Sequence, residues 1–261
     1  MAFSPALAHR QRVLASQSTR AMLAEHAARA GAAPPMPSEG PVASEYQSLL
    51  ARLHEDLRRL HDIQSTDAKV ALKRDLIKGY MPWIEGVLTS TIEGAAPQDE
   101  IVVTCFIWSL DIREWTLGLD LFNHINTHGL QLPERFHRSP RGVLLSEMSD
   151  AALADPGSVP HDTLLAIRPG PDPVPDVKDE TMARVQRAIG ESWSLQADSF
   201  DPSTESAAAG GKAMLVDAAL AALREAIRLD PKVGVKKQIE QLEREAKKLV
   251  PEDQQKPAVT E

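Results

Sequence analysis

The sequence predicts an all-α protein: a multi-helix bundle of helical hairpins with a basic helical arm at its N-terminus and a heptad-patterned helix at its C-terminus. Three observations point there. Aromatic residues make up only 4% of the chain, so a core drawn from 43% hydrophobic residues must be mostly Leu, Ile, Val and Ala, a mixture suited to packed helices rather than β-sandwiches. Apolar positions recur at spacings of three and four through the long segments, which is the helical period. Stretches rich in Pro and Gly separate these segments into blocks. The length of 261 residues fits one large or two modest domains, and the net charge of −8 confines any nucleic-acid contact to local basic patches.

Taken in order, residues 1–30 form the arm. Ser4 and Pro5 are a cap and first-turn pair, and Arg10, Arg12, Arg20 and Arg29 stand against Glu25 alone. A solvated helix and a DNA-contacting arm both fit this pattern. Residues 31–43 are a linker, GAAPPMPSEGPVA, which tethers the arm and lets it move. A central helical domain follows at 44–155. Its first helix carries Leu50, Leu53, Leu57 and Leu60 as a short coiled-coil-like seam, which equally describes a helix packed within its own domain. The chain turns near Gln64, and Ser65 and Thr66 cap a short helix with Lys69 and Lys73 on one face and Arg74 and Lys78 beside it. Gly79 is expected to end that helix in the left-handed conformation, ahead of a rigid corner at Tyr80, Pro82 and Trp83.

Beyond Pro97 the acids Asp99 and Glu100 suit a first turn, and IVVTCFIWSL reads as a central core helix with Cys105 a small buried hydrophobe. The segment EWTLGLDLFNHINTHG then forms the second half of a helical hairpin, stopped at Gly129. A basic loop holding Arg135, His137, Arg138 and Arg141 precedes a helix over Pro140 to Ala154. Residues 156–211 are a loop-rich connector with one helix from Asp176 to Trp193. Residues 212–250 are a helical hairpin divided at Asp230-Pro231, and 251–261 are a tail. The last helix repeats Val235, Ile239, Leu242, Ala246 and Leu249, a heptad stripe that wants a partner. Its own preceding helix, a sister subunit or another protein would each serve.

Recognisable catalytic motifs are absent. A single Cys leaves no disulfide framework or four-thiolate zinc site, which suits a reducing cytoplasm. His124 and His128 are four apart but lack the Glu of a zinc-protease helix. Gly210-Gly211-Lys212 lacks both the first Gly and the following Ser or Thr of a phosphate loop. Asp99, Glu100, Asp111, Glu114 and Asp120 are the nearest approach to a carboxylate cluster, though first-turn acids and solvated helix faces also explain them; Asp99, Glu100 and His128 are the candidates if the chain cuts. No metal is assigned; magnesium would enter only if the chain were itself a nuclease. No apolar run is long enough to cross a membrane, and no export signal is read.

The run RRLHDIQSTDAKVALKRDLIKGYMPWIEGVL at 58–88 resembles the small terminase subunit of cohesive-end temperate tailed bacteriophages, the gene-product-M type. So do SPALAHRQRVLA at 4–15 and ALREAIRLDPKVGVKKQIEQLEREAKKL at 222–249, three separated blocks in the family's order. That resemblance implies a host-cytoplasmic protein that binds the cohesive-end site of concatemeric phage DNA and directs its cleavage and packaging with a large ATPase subunit. It implies a homo-oligomer with phage double-stranded DNA and the large subunit as partners. Two alternatives stay open: the chain is itself the metal-dependent endonuclease, as the family's frequent description suggests, or it is a helical adaptor that never touches DNA. The residues expected on DNA are Arg10, Arg12, Arg20, Lys69, Lys73, Arg74 and Lys78, and Val235, Ile239, Leu242 and Leu249 are expected to meet a protein partner.

Overall fold

The computed structural model describes residues 4–21, 33–89, 96–133, 136–168, 177–201 and 211–249, with side chains described only to Ser18 in the first of these stretches. Eleven α-helices and no strand occur among the described residues. The chain divides into two compact units, Met1–Leu144 and Leu145–Glu261. Among the described residues no helix is long and apolar enough to cross a membrane.

The first unit is organised by α5, Glu100–Asp111, whose Ile101, Val102, Val103, Cys105 and Phe106 are completely buried. A helix apolar on every side has to lie inside its neighbours. Around it stand α1 (Pro5–Ala21), α2 (Gly40–Asp62), α3 (Thr66–Leu76), α4 (Met81–Leu88) and α6 (Trp115–His128). The hairpin of α5 and α6 matches the sequence reading, as does Gly129, which takes φ 68° where Leu130 N donates to Ile125 O at 3.0 Å.

Asp99 ties the unit together. Its Oδ1 caps α5 by accepting from Ile101 N at 2.9 Å and Val102 N at 3.1 Å, while Oδ2 accepts from Trp83 Nε1 of α4 at 2.7 Å. Tyr46 of α2 reaches the same turn, its hydroxyl accepting from Glu100 N at 3.0 Å. Its ring lies 5.9 Å from that of Trp83. Three helices therefore meet at one helix start, whose otherwise unpaired donors are met inside the core.

Three expectations are corrected. The face of α2 that is buried carries Tyr46, Leu49, Leu53, Asp56 and Leu60 rather than the Leu50/Leu57 seam, and Asp56 is accommodated by the Tyr80 hydroxyl, which donates to it at 2.7 Å. The helix also starts earlier than expected, at Gly40, because Pro41 occupies its first turn, where its missing N–H costs nothing. Gly79 is not left-handed; it lies in a 3₁₀ turn, Ile77–Gly79. A Cβ there would fall 2.0 Å from Arg52 Nη2, so its smallness admits the guanidinium that stacks 5.0 Å over the Tyr80 ring.

The basic arm is not free over its described length. Gln11, Leu14, Ala15 and Ser18 bury one face of α1, at the three-and-four spacing of a docked helix. Gly86 of α4 makes that docking close, since a Cβ there would stand 2.4 Å from Arg12 O and 2.7 Å from the Ala15 Cβ. Residues 22–30 of the expected arm lie outside the described residues.

The boundary between the units falls within α7, Pro140–Ala154. The second unit continues with α8 (His161–Ile167), α9 (Asp179–Asp198), α10 (Gly211–Leu229) and α11 (Lys236–Leu249). Its core joins Ala183, Leu215, Val216, Ala219, Leu223 and Ala226 to Val233, Val235 and Leu242. Small residues bring α9 and α10 close, and a Cβ on Gly190 would meet Leu223 side-chain carbons at 2.7 Å. Arg187 donates to Val233 O at 3.1 Å and pairs with Glu191 at 2.8 Å, which holds the turn after α10 against α9.

Two predictions follow from this packing. Replacing Gly86 by Ala should lift α1 from α4, because the obstructing atom is backbone and cannot swing away; overpacking of this kind costs roughly 1–3 kcal/mol. Hydrogen exchange of the α1 amides should accelerate in Gly86→Ala, and unchanged protection would contradict the docking. His124 lies with its ring centroid 4.5 Å from that of His128, and burial, then the neighbouring imidazole, lowers its pKa from 6.5 to about 4. A depressed imidazole contributes stability that is full above pH 6.5 and is lost as pH falls toward 4, about 3 kcal/mol in all. Burial raises Asp99 to about 6, which acts with the opposite sign, its contribution being full below pH 4 and lost as pH rises through 6. The measurement is therefore a difference: the urea midpoint of His124→Phe should fall less than that of the parent between pH 6.5 and 4, and parallel curves would refute it.

Candidate nucleic-acid interface

Ser65 starts α3, its Oγ accepting from Ala68 N at 3.3 Å. Of the eleven residues in this helix only Leu76 is buried, so most of its circumference faces outward. The four expected cations do not form one open face. Lys73 Nζ meets Asp111 Oδ2 at 2.5 Å, and Arg74 Nη2 donates to Ile112 O at 3.4 Å. Lys78, in the 3₁₀ turn that follows α3, pairs with Asp75 at 2.9 Å, and Lys69 is half-buried. Two cations of α3 are thus brought onto the turn between α5 and α6, 38 residues away in sequence.

That turn contains a residue the sequence reading passed over. Arg113 has φ 63°, alone among the described non-glycine residues in being left-handed. Its N–H bonds Leu110 O at 3.1 Å and Glu114 N–H bonds Ser109 O at 2.9 Å, the paired bonds of a helix-ending motif whose left-handed position Gly normally fills. An Arg there costs of order 1–2 kcal/mol. The signal in the sequence was the want of Gly or Asn at the only break, DIRE, between two helical patterns.

On α1, Arg12 pairs with Glu85 of α4 at 3.1 Å, and Arg10 with Glu45 of α2 at 3.5 Å. Gln11 also donates to Glu45, at 3.0 Å. Both arginines remain exposed, and pairs of this kind contribute about 0–1 kcal/mol, so competing phosphates could replace them. The Arg20 side chain and Arg135 lie outside the described residues; His137 and Arg138 are exposed.

The weak catalytic candidates have structural work. Both oxygens of Asp99 are used in capping and in holding Trp83. Glu100 lies 3.6 Å from His54, and His128 Nδ1 accepts from Ala96 N at 3.2 Å. Among the described residues, no three His, Cys, Asp or Glu side chains are grouped to hold a metal ion. The heptad stripe of α11 is used within its own unit: Val235 and Leu242 are core residues, with Ile239 and Leu249 packed against them.

Residues 50–163 match the model of the phage small terminase subunit family, a span that begins within α2 and ends within α8, and so includes α3 and the α5–α6 turn. The chain is 34% identical over 218 residues, 83% of its own length and 80% of the other's, to a protein of Escherichia phage P2 named "Terminase, endonuclease subunit". No solved structure matches. A relationship extending over four-fifths of both chains leaves one assignment: the protein belongs to the phage small terminase subunit family, and its role is in phage DNA packaging.

Proposed function

We propose that the chain is the DNA-recognition subunit of the packaging machine: it binds the cohesive-end site of concatemeric phage DNA and directs cleavage and packaging with a large ATPase subunit. The observation that carries this reading is the segment of α3 and the 3₁₀ turn after it, which lies within the family-matched span and carries Lys69, Lys73, Arg74 and Lys78, with Arg74 and Lys78 exposed. Charge supports the same division. The first unit has 15 Lys and Arg against 16 Asp and Glu, and the second has 14 against 21. Phosphates therefore meet less repulsion at the first unit, and the acidic second unit suits protein contacts.

With most cations already paired, one subunit neutralises few phosphates. A homo-oligomer on one DNA multiplies that weak footprint by effective concentration, and array geometry with DNA deformability then contributes to specificity. Arg10 and Arg12 of α1 extend the footprint. The second reading, that the chain itself cuts, draws on the name of the P2 relative; it requires magnesium-dependent cleavage by the purified chain.

Substituting Lys69, Arg74 and Lys78 together by Ala leaves the Lys73–Asp111 pair intact. The variant should bind double-stranded DNA more weakly, and its log K against log salt should be shallower by about 2–3 per subunit. An unchanged slope would remove α3 from the interface.

A further inference from the structure

We infer that the loop leading into α7 is a second contact for the phosphate backbone of double-stranded DNA, made by the side chains of Arg138 and Arg141. The inference rests on the DNA-binding reading above and adds to it a site away from α3.

This loop holds cations without carboxylates. From 133 to 143 the sequence sets Arg135, His137, Arg138 and Arg141 against Glu134 alone, and no acid stands in the first turn of α7. Most other described arginines are compensated, as Arg10 is by Glu45, Arg12 by Glu85 and Arg58 by Glu55. Among the described residues, neither Arg138 nor Arg141 pairs with a carboxylate. The stability of α7 does not call for these charges. A cation at the start of a helix opposes the macrodipole, which favours acids there, and the donors of that turn are met without them. Ser139 Oγ accepts from Gly142 N at 3.1 Å and Ser139 O accepts from Val143 N at 3.0 Å.

What holds Arg141 is an aromatic ring. Its guanidinium lies 5.1 Å over the centre of Phe122 on α6, and Phe122 is itself buried. Stacking occupies one face of the guanidinium and leaves its N–H edge for an oxyanion, and the planar fork matches a phosphate. Arg138 is exposed nearby in the chain. Duplex DNA carries one charge per about 1.7 Å of its axis, so the two arginines need not meet on one phosphate. The element beneath them is also the one that follows the turn where α3 docks: Phe122 stands two turns beyond Trp115, about 10 Å along the axis of α6. One helix thus carries both footprints, and both lie within the family-matched span.

The experiment measures the full-length protein on a fluorescent double-stranded fragment across a salt series, with thermal melting of each variant. Arg138→Ala should melt as the parent does and lose about 0.9 from its log–log salt slope per subunit. Arg138→Ala combined with Arg141→Ala should lose about 1.8, with a melting temperature lowered by no more than roughly 4 °C for the lost stacking on Phe122. The control is Lys236→Ala with Lys237→Ala, which removes the same charge from exposed positions on α11 and should keep the parent slope. If the parent binds and both arginine variants retain its slope, or if the lysine control loses as much, the loop is removed from the interface and the wider DNA-binding reading stands. If the parent does not bind duplex DNA, both are overturned.

Discussion

A single buried carboxylate, Asp99, carries the geometry of the first unit. It starts α5, holds the indole of Trp83 on α4, and sits at the turn that Tyr46 of α2 also reaches. Burial raises its pKa to about 6 against the pull of three donors, so keeping it ionised at neutral pH costs about 3 kcal/mol. Neutralising it would weaken the cap and its hold on the indole. The cost is tolerable because everything else follows from the placement of α5: with its start fixed by Asp99 and its end by Arg113, the helix presents Asp111 and Ile112 where α3 docks.

The functional reading grows from this placement rather than from net charge. On the proposed reading an acidic chain would meet DNA through a minority of its surface, a short outward-facing helix and the turn that supports it. The ion pairs of Arg10, Arg12 and Lys78 bear on mechanism as well as stability. Exposed pairs are weak, so on the proposed reading phosphates would displace the carboxylates at small expense, and binding would be reversible and strongly salt-dependent. Such modest contacts would suit the proposed recognition subunit, one that finds a site, gathers several copies and passes the DNA to a motor.

Much of the fold was legible in the residues. The two-element pattern over 100–129 gave the hairpin, and Pro140 and Asp230-Pro231 marked real helix limits, because capping and breaking are local effects. The tertiary use of a local signal was less legible. Gly79 looks like a helix stop in sequence and is instead a space for the Arg52 guanidinium. The α11 heptads ask for a partner, but periodicity does not say that α9 and α10 supply the core on which they pack. Gly86 gives no hint that α1 lies across it. For the candidate site, the spacing of Lys69, Lys73, Arg74 and Lys78 located the helix, but it could not show that Lys73 is committed to Asp111 or that Arg113 shares the turn. Those facts depend on pairings 38 residues apart.

On the proposed function, this chain recognises packaging DNA and leaves cutting to its partner. The most direct measurement is a gel shift of the purified chain on a labelled cohesive-end fragment, with magnesium and excess unrelated DNA, and with every sample also run denatured. The expected result is a shift that resists the competitor and leaves both strands intact. A discrete nick in the denatured lanes, or a shift abolished by unrelated DNA, would contradict it.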